Sequence, residues 1–114
     1  MLTINGENIC ITRGDSGEIF IAPQNDNGAP YILSAGERVK FFVRPLPGAE
    51  PVIEKEFTNI EQRDDGSFTV RLLHNDTDIP RASYMYEAKL YAYGGDEIST
   101  FIGGGKEKPR FIVA

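Results

Sequence analysis

One cysteine, one histidine and no tryptophan occur among the 114 residues. The lone Cys10 excludes an internal disulfide, and its place between Ile9 and Ile11 marks it as a small strand residue. The lone His74 excludes a histidine-based metal cluster and leaves a Ser-His-Asp arrangement with a single candidate base, read here as a strand-end residue. Long apolar runs are missing too: none approaches the roughly 20 residues that a membrane-spanning helix requires, so no membrane partner is expected. Residues 1–12, MLTINGENICIT, lack the basic start, apolar block and small-residue cleavage site of a secretory signal, which predicts a protein made in the cytoplasm and not exported by the general route. An excess of basic residues is also absent. A net charge of -5 disfavours nucleic acid, because phosphate affinity comes mainly from clustered Lys and Arg.

Period-two alternation is abundant. RVKFFVR sets Val39, Phe41 and Val43 on one face, and Arg38, Lys40, Phe42 and Arg44 on the other. SFTVRLL separates Phe68, Val70 and Leu72 from Thr69 and Arg71. YMYEAKLYAY does the same for Tyr84, Tyr86, Ala88, Leu90 and Ala92 against Met85, Glu87, Lys89, Tyr91 and Tyr93, with the charged side outward. Further strands are expected near residues 2–5, 8–12, 18–22, 52–58, 98–102 and 110–113, divided by Asn-Gly, Asp-Gly, Gly-Gly and Pro-rich breaks. No helical period competes. Strands of this number and spacing predict one all-β domain over residues 1–114, an antiparallel sandwich or barrel of immunoglobulin-like size, with loops at 23–30 and 45–51.

Several short strings imitate functional motifs. Arg13-Gly14-Asp15 is the tripeptide that integrins grip, yet it lies where a hairpin must reverse, and Gly and Asp suit such a turn. Gly94-Gly95-Asp96-Glu97 resembles a diguanylate cyclase loop, but that activity needs a larger α/β domain, so a hairpin with positive backbone angles is expected. GGGKEK, residues 103–108, fails the phosphate-loop spacing, because Glu107 follows Lys106 and Thr100 stands at the first glycine position. Asp76 and Asp78 are spaced as in a calcium loop, but Pro80 occupies a ligand position and no bidentate Glu follows; an Asx-type turn is expected. Asp64 and Asp65 sit at a hairpin tip, unsuited to acid/base work across a cleft. No catalytic set, cofactor site or metal site is expected.

The stretches LTINGENICITRGDSGEIFIAP, YILSAGERVKFFVRP, DTDIPRASYMYEAKLYAYGGDEISTFI and RFIV together resemble the amino-terminal domain of phage upper-baseplate proteins and related prophage tail proteins of Gram-positive bacteria. The most recognisable parts are the turn Gly14-Asp15-Ser16, the AGERVKFFV strand, Asp76-Thr77, and Tyr84-x-Tyr86 with a hairpin ending at Thr100. Relatives of that kind often carry a glycine before the Tyr-x-Tyr strand, where Ala82 and Ser83 stand here, and commonly continue into a longer carboxy-terminal region. The resemblance implies an immunoglobulin-like β-sandwich that helps build or decorate a virion tail, with other tail or baseplate proteins or copies of itself as partners. Phe42, Tyr91 and Tyr93 on outward strand faces, with Phe101 beside them, are the interface candidates. A carbohydrate-binding β-sandwich module is the alternative, since it too uses exposed aromatics.

Overall fold

Alternating β-branched and aromatic residues form nine strands among the described residues, which in this computed structural model are 1–5, 7–105 and 108–114. In chain order the strands are β1 (Leu2–Asn5), β2 (Asn8–Ile11), β3 (Gly17–Ile21), β4 (Arg38–Arg44), β5 (Ile53–Thr58), β6 (Phe68–Leu72), β7 (Ala82–Tyr91), β8 (Glu97–Ile102) and β9 (Arg110–Val113). With 47% of residues in strands and 6% in helices, the protein is mostly β, as its alternation predicts. A 3-10 turn at Asn59–Glu61 and a one-turn helix α1, His74–Thr77, interrupt the strands. His74 therefore opens a helix instead of ending a strand, and the expected Asx-type turn is helical. Lys106 and Glu107 of the GGGKEK segment lie outside the described residues.

The strands form two sheets. The larger has seven strands in the order β1-β2-β9-β7-β4-β5, with β8 also paired to β7; the smaller is the pair β3-β6. Strand β7 is long enough to serve two partners along one side, β9 through Ala82–Met85 and β8 through Ala88–Tyr91. The ladders are antiparallel with one correction to the expected all-antiparallel arrangement: β2 runs parallel to β9, Ile9 beside Phe111 and Ile11 beside Val113. Two strands so far apart in sequence need no hairpin between them, so the direction of their pairing is set by where the chain enters and leaves the sheet.

The inward faces of both sheets meet in one hydrophobic cluster. Val39, Phe41, Val43, Ala88 and Leu90 come from the large sheet, and Ile19, Ile21, Phe68, Val70 and Leu72 from the small one, in the phase read from the alternation. Phe41 and Tyr86 rings lie 5.8 Å apart, and Phe57 and Phe68 bridge the sheets at 5.6 Å. Burying each such side chain is worth about 1.5–3 kcal/mol.

The opposite face of β4 and β7 departs from expectation at Phe42. It does point away from the core, yet it is only 5% exposed. The Arg44 guanidinium lies 4.6 Å above its ring and makes a 2.9 Å ion pair with Glu87, the residue opposite Phe42 on β7. Arg44 also donates to the Ala49 carbonyl at 2.6 Å, tethering the 45–51 loop. Neighbouring Met85 is 2% exposed. A long cationic side chain can cover apolar surface along its stem while its head stays polar, which alternation alone cannot register.

Tyr86 supplies a test of the core. Its hydroxyl donates to the Glu7 carbonyl, and burial, reinforced by the Glu7 charge, raises its phenol pKa. A raised folded-state pKa contributes stability that is complete below the unfolded value of about 10 and is lost as pH rises through the folded value. Thermal unfolding from neutral pH to about 11.5 should therefore show a falling Tm above about 10. Tyr86→Phe, less stable at neutral pH by about 1 kcal/mol, should fall less steeply; an equal or steeper slope would contradict the assignment.

Candidate functional site

The Arg13-Gly14-Asp15-Ser16 string is a turn but not the expected hairpin, because β2 and β3, which it joins, lie in different sheets. The Asp15 N–H donates to the Thr12 carbonyl at 3.0 Å, and Gly14 at the third position has φ +83, which the type II geometry requires and glycine adopts without strain. This turn is clamped to α1. The Thr77 hydroxyl, fully buried, donates to the Asp15 carbonyl at 2.6 Å, and the Gly14 N–H donates to the Thr77 carbonyl at 3.3 Å. His74 Nδ1 lies 2.6 Å from the Gly14 carbonyl, so that nitrogen carries the proton. Arg13 donates through its backbone N–H to the Ala114 carbonyl at 2.9 Å and through Nε to Asp78 at 3.2 Å, while Asp15 pairs with the amino terminus. The arginine and aspartate of the tripeptide thus each hold a different partner within the protein.

The acidic residues near α1 are similarly engaged. The Asp76 carboxylate accepts the Leu73 N–H at 2.8 Å, capping the helix, and the Lys55 ammonium at 2.8 Å. Asp76 and Asp78 therefore face different cations, Lys55 and Arg13. The 62–67 turn joins β5 and β6 of different sheets and so is not the expected hairpin tip; in it the Asp65 carboxylate accepts the Ser67 hydroxyl and N–H at 2.6 and 2.9 Å, which holds its pKa below the usual carboxylate range.

The aromatic candidates separate into different settings. Tyr91 is half-buried on the outward row of β7; the Lys40 ammonium stands 5.2 Å from its ring, and burial pushes its phenol pKa up. Tyr93 lies beyond β7, in the loop that joins it to β8. The Gly95 N–H donates to the Ala92 carbonyl at 2.9 Å, the Ala92 N–H donates to the Asp96 backbone carbonyl at 2.7 Å, and Gly95 has φ +91. The expected Gly-Gly hairpin is therefore a three-residue loop with only its last glycine left-handed. Tyr93 is 85% exposed, yet its ring rests on Gly36, at φ +88, where an added Cβ would overlap the ring. Phe101 is half-buried and packs against the core cluster, apart from the outward row where it was expected.

Searches among family models, curated proteins and solved structures found no match.

Tyr91 and Tyr93 line a cleft of about 290 Å³ with Arg38, Lys40, Glu56 and the Gly94-Gly95 backbone. Arg38 donates to Glu56 at 3.0 Å inside it, and Lys40 adds a second cation beside the Tyr91 ring. Just beyond, Lys89 and Glu97 pair at 3.1 Å; this contact raises the lysine pKa and, with the Thr100 hydroxyl, lowers that of the glutamate. Two aromatic rings beside hydrogen-bonding groups suit docking by contact, through packing area and a few oriented polar bonds.

Sequence reading identified both tyrosines but missed Gly36, whose role as a seat for Tyr93 depends on a contact far along the chain. Thr77 it named within the family resemblance but without a structural role. Thr77→Val should remove the hydroxyl bond, leave the Asp15 carbonyl short of a partner and cost about 1–3 kcal/mol. Thr77→Ser, which retains the hydroxyl, should cost less. Urea unfolding checks this: a lower midpoint for valine than for serine is expected.

Proposed function

We propose that the chain is an immunoglobulin-like β-sandwich serving as a non-enzymatic assembly domain of a phage or prophage tail, of baseplate type, that acts in the virion through protein-protein contacts. The strand pairings support the fold part of this reading. Strands β3 and β6 pair as B and E of such a sandwich do, and β4 pairs with both β5 and β7 as C does with C′ and F. Strands β8 and β9 share the place of G beside F. The Tyr84 hydroxyl donates to the Pro80 carbonyl four residues upstream at 2.5 Å, as in the tyrosine corner at the start of strand F. The clamp also joins Gly14-Asp15-Ser16 to Asp76-Thr77, two of the segments on which the family resemblance rests.

The single observation that carries the contact role is Tyr93: almost fully exposed, yet seated on Gly36. A restrained aromatic ring offers area to a partner at a low cost in conformational entropy. The engagement of His74, Asp76 and Asp78 with backbone and opposite charges supports a structural role for groups that could otherwise do chemistry. A sugar-binding reading draws on the same cleft, where Tyr91 and Tyr93 stand beside the Arg38–Glu56 pair.

Tyr93→Ala should weaken self-association or docking to a tail partner by tenfold or more, as expected for a central aromatic anchor worth roughly 1.4 kcal/mol or more. Its folding stability should change by under about 0.5 kcal/mol, because the ring is exposed. Sedimentation and binding titrations with tail proteins check the first, denaturation the second. Unchanged association would overturn the contact role, and saturable binding of free hexoses at this cleft would favour the sugar reading.

A further inference from the structure

Sheet edges expose unpaired backbone groups, and proteins blunt them with charges, bulges or short strands. Edge strand β5 carries Glu54, Lys55 and Glu56 in succession, and β8 pairs with register shifts. Strand β6 lacks such protection. It belongs to a two-stranded sheet, pairs with β3 on one side, and has no strand beside its other edge among the described residues. Its sequence FTVRL holds one charge.

That edge opens onto a groove of about 380 Å³ between β6 and the overhanging β5, lined by Lys55, Phe57, Glu61, Thr69, Arg71 and Leu73. In a sandwich of the proposed type this is where strand D would lie beside E. Here the chain between β5 and β6 is instead used in the 3-10 turn at Asn59–Glu61 and the tight turn held by Gly66 N–H to the Arg63 carbonyl at 2.9 Å. Leu73 remains 53% exposed at one end of the groove.

We infer that the free edge of β6 accepts an extended segment of a partner protein as an added strand, one with apolar residues at alternate positions and acidic residues between them. Backbone hydrogen bonds along β6 would supply affinity, and alternate side chains would enter the groove over Phe57 and Leu73. The acidic preference follows from charge. Of the charged residues lining the groove, Lys55 is held by Asp76 at 2.8 Å and the Glu61 carboxylate by the Thr58 N–H at 3.0 Å, which leaves Arg71 as the side chain that can answer an acidic ligand. Arg71 is free to turn to a ligand: its side chain is 70% exposed and its contact with Glu18 is long, at 3.5 Å. A second copy's β6 fits less well, because it would bring a second Arg71 and no acidic side chain to the edge. This inference deepens the assembly reading and rests on it for the nature of the partner.

The test titrates the ¹⁵N-labelled full chain with an acetylated, amidated octapeptide of alternating valine and glutamate. Saturable amide shifts along Phe68–Leu73, with slowed hydrogen exchange there, are expected. Arg71→Glu should weaken binding roughly fivefold through reversal of one exposed charge, with its circular dichroism spectrum unchanged. A peptide N-methylated at every residue should not bind, since neither of its edges can donate to the ladder. Absence of saturable shifts at millimolar peptide, shifts confined to Tyr91–Gly95, or equal binding of the N-methylated peptide would each overturn the inference. The two readings fail separately: loss of association in Tyr93→Ala without peptide binding removes only the strand site, and peptide binding with unchanged Tyr93→Ala association removes only the tyrosine contact.

Discussion

The buried hydroxyl of Thr77 is the joint on which the two sheets depend. Strands β2 and β3 lie in different sheets, as do β6 and β7, so the chain crosses the core twice at one end of the molecule. Each crossing brings backbone polar groups away from water, and such groups must find partners inside the protein. Thr77 answers for both: its hydroxyl takes the Asp15 carbonyl of one crossing while its own carbonyl, in the other, takes the Gly14 N–H. Arg13 brings in the carboxy terminus through Ala114. Among the described residues no buried side-chain nitrogen or oxygen is left without a hydrogen-bond partner.

The outer face of the large sheet is organised by a different balance. Phe42 and Met85 form a small apolar area outside the core, covered by the Arg44–Glu87 pair and the loop that Arg44 holds. Removing either charge would leave the other partly buried and unpaired, a larger loss than the net worth of the bridge. Toward the other end of β7 no such cover exists. Tyr91 is only partly screened by Lys40, and Tyr93 stands on Gly36 with most of its ring in solvent. One face therefore contains a sealed aromatic and an open one, chosen by the reach of a single arginine.

How far the sequence could be read follows from the range of the physics. The inward residues of β4, β6 and β7 were legible because side chains alternate across a pleat whatever lies beyond it. The turn at Gly14 was legible because a positive backbone angle restricts residue choice locally. Phe42 illustrates the boundary: alternation gave its face correctly, and its burial depended on a side chain two residues away lying down over it. Tyr93 was read one step too far into its strand, since Gly95 closes the hairpin earlier than a two-residue loop would.

By itself, then, the sequence determined the β class, the inward face of the main strands and the sites of reversal, all properties of neighbours along the chain. Only the tertiary structure decided that β2 runs parallel to β9, that Thr77 locks a turn 62 residues away, that Tyr93 rests on Gly36 and that β6 keeps an open edge. Those features depend on which distant segments meet when two sheets close over one core. Period and composition carry no record of that choice, because many pairings of the same strands would bury the same alternating residues.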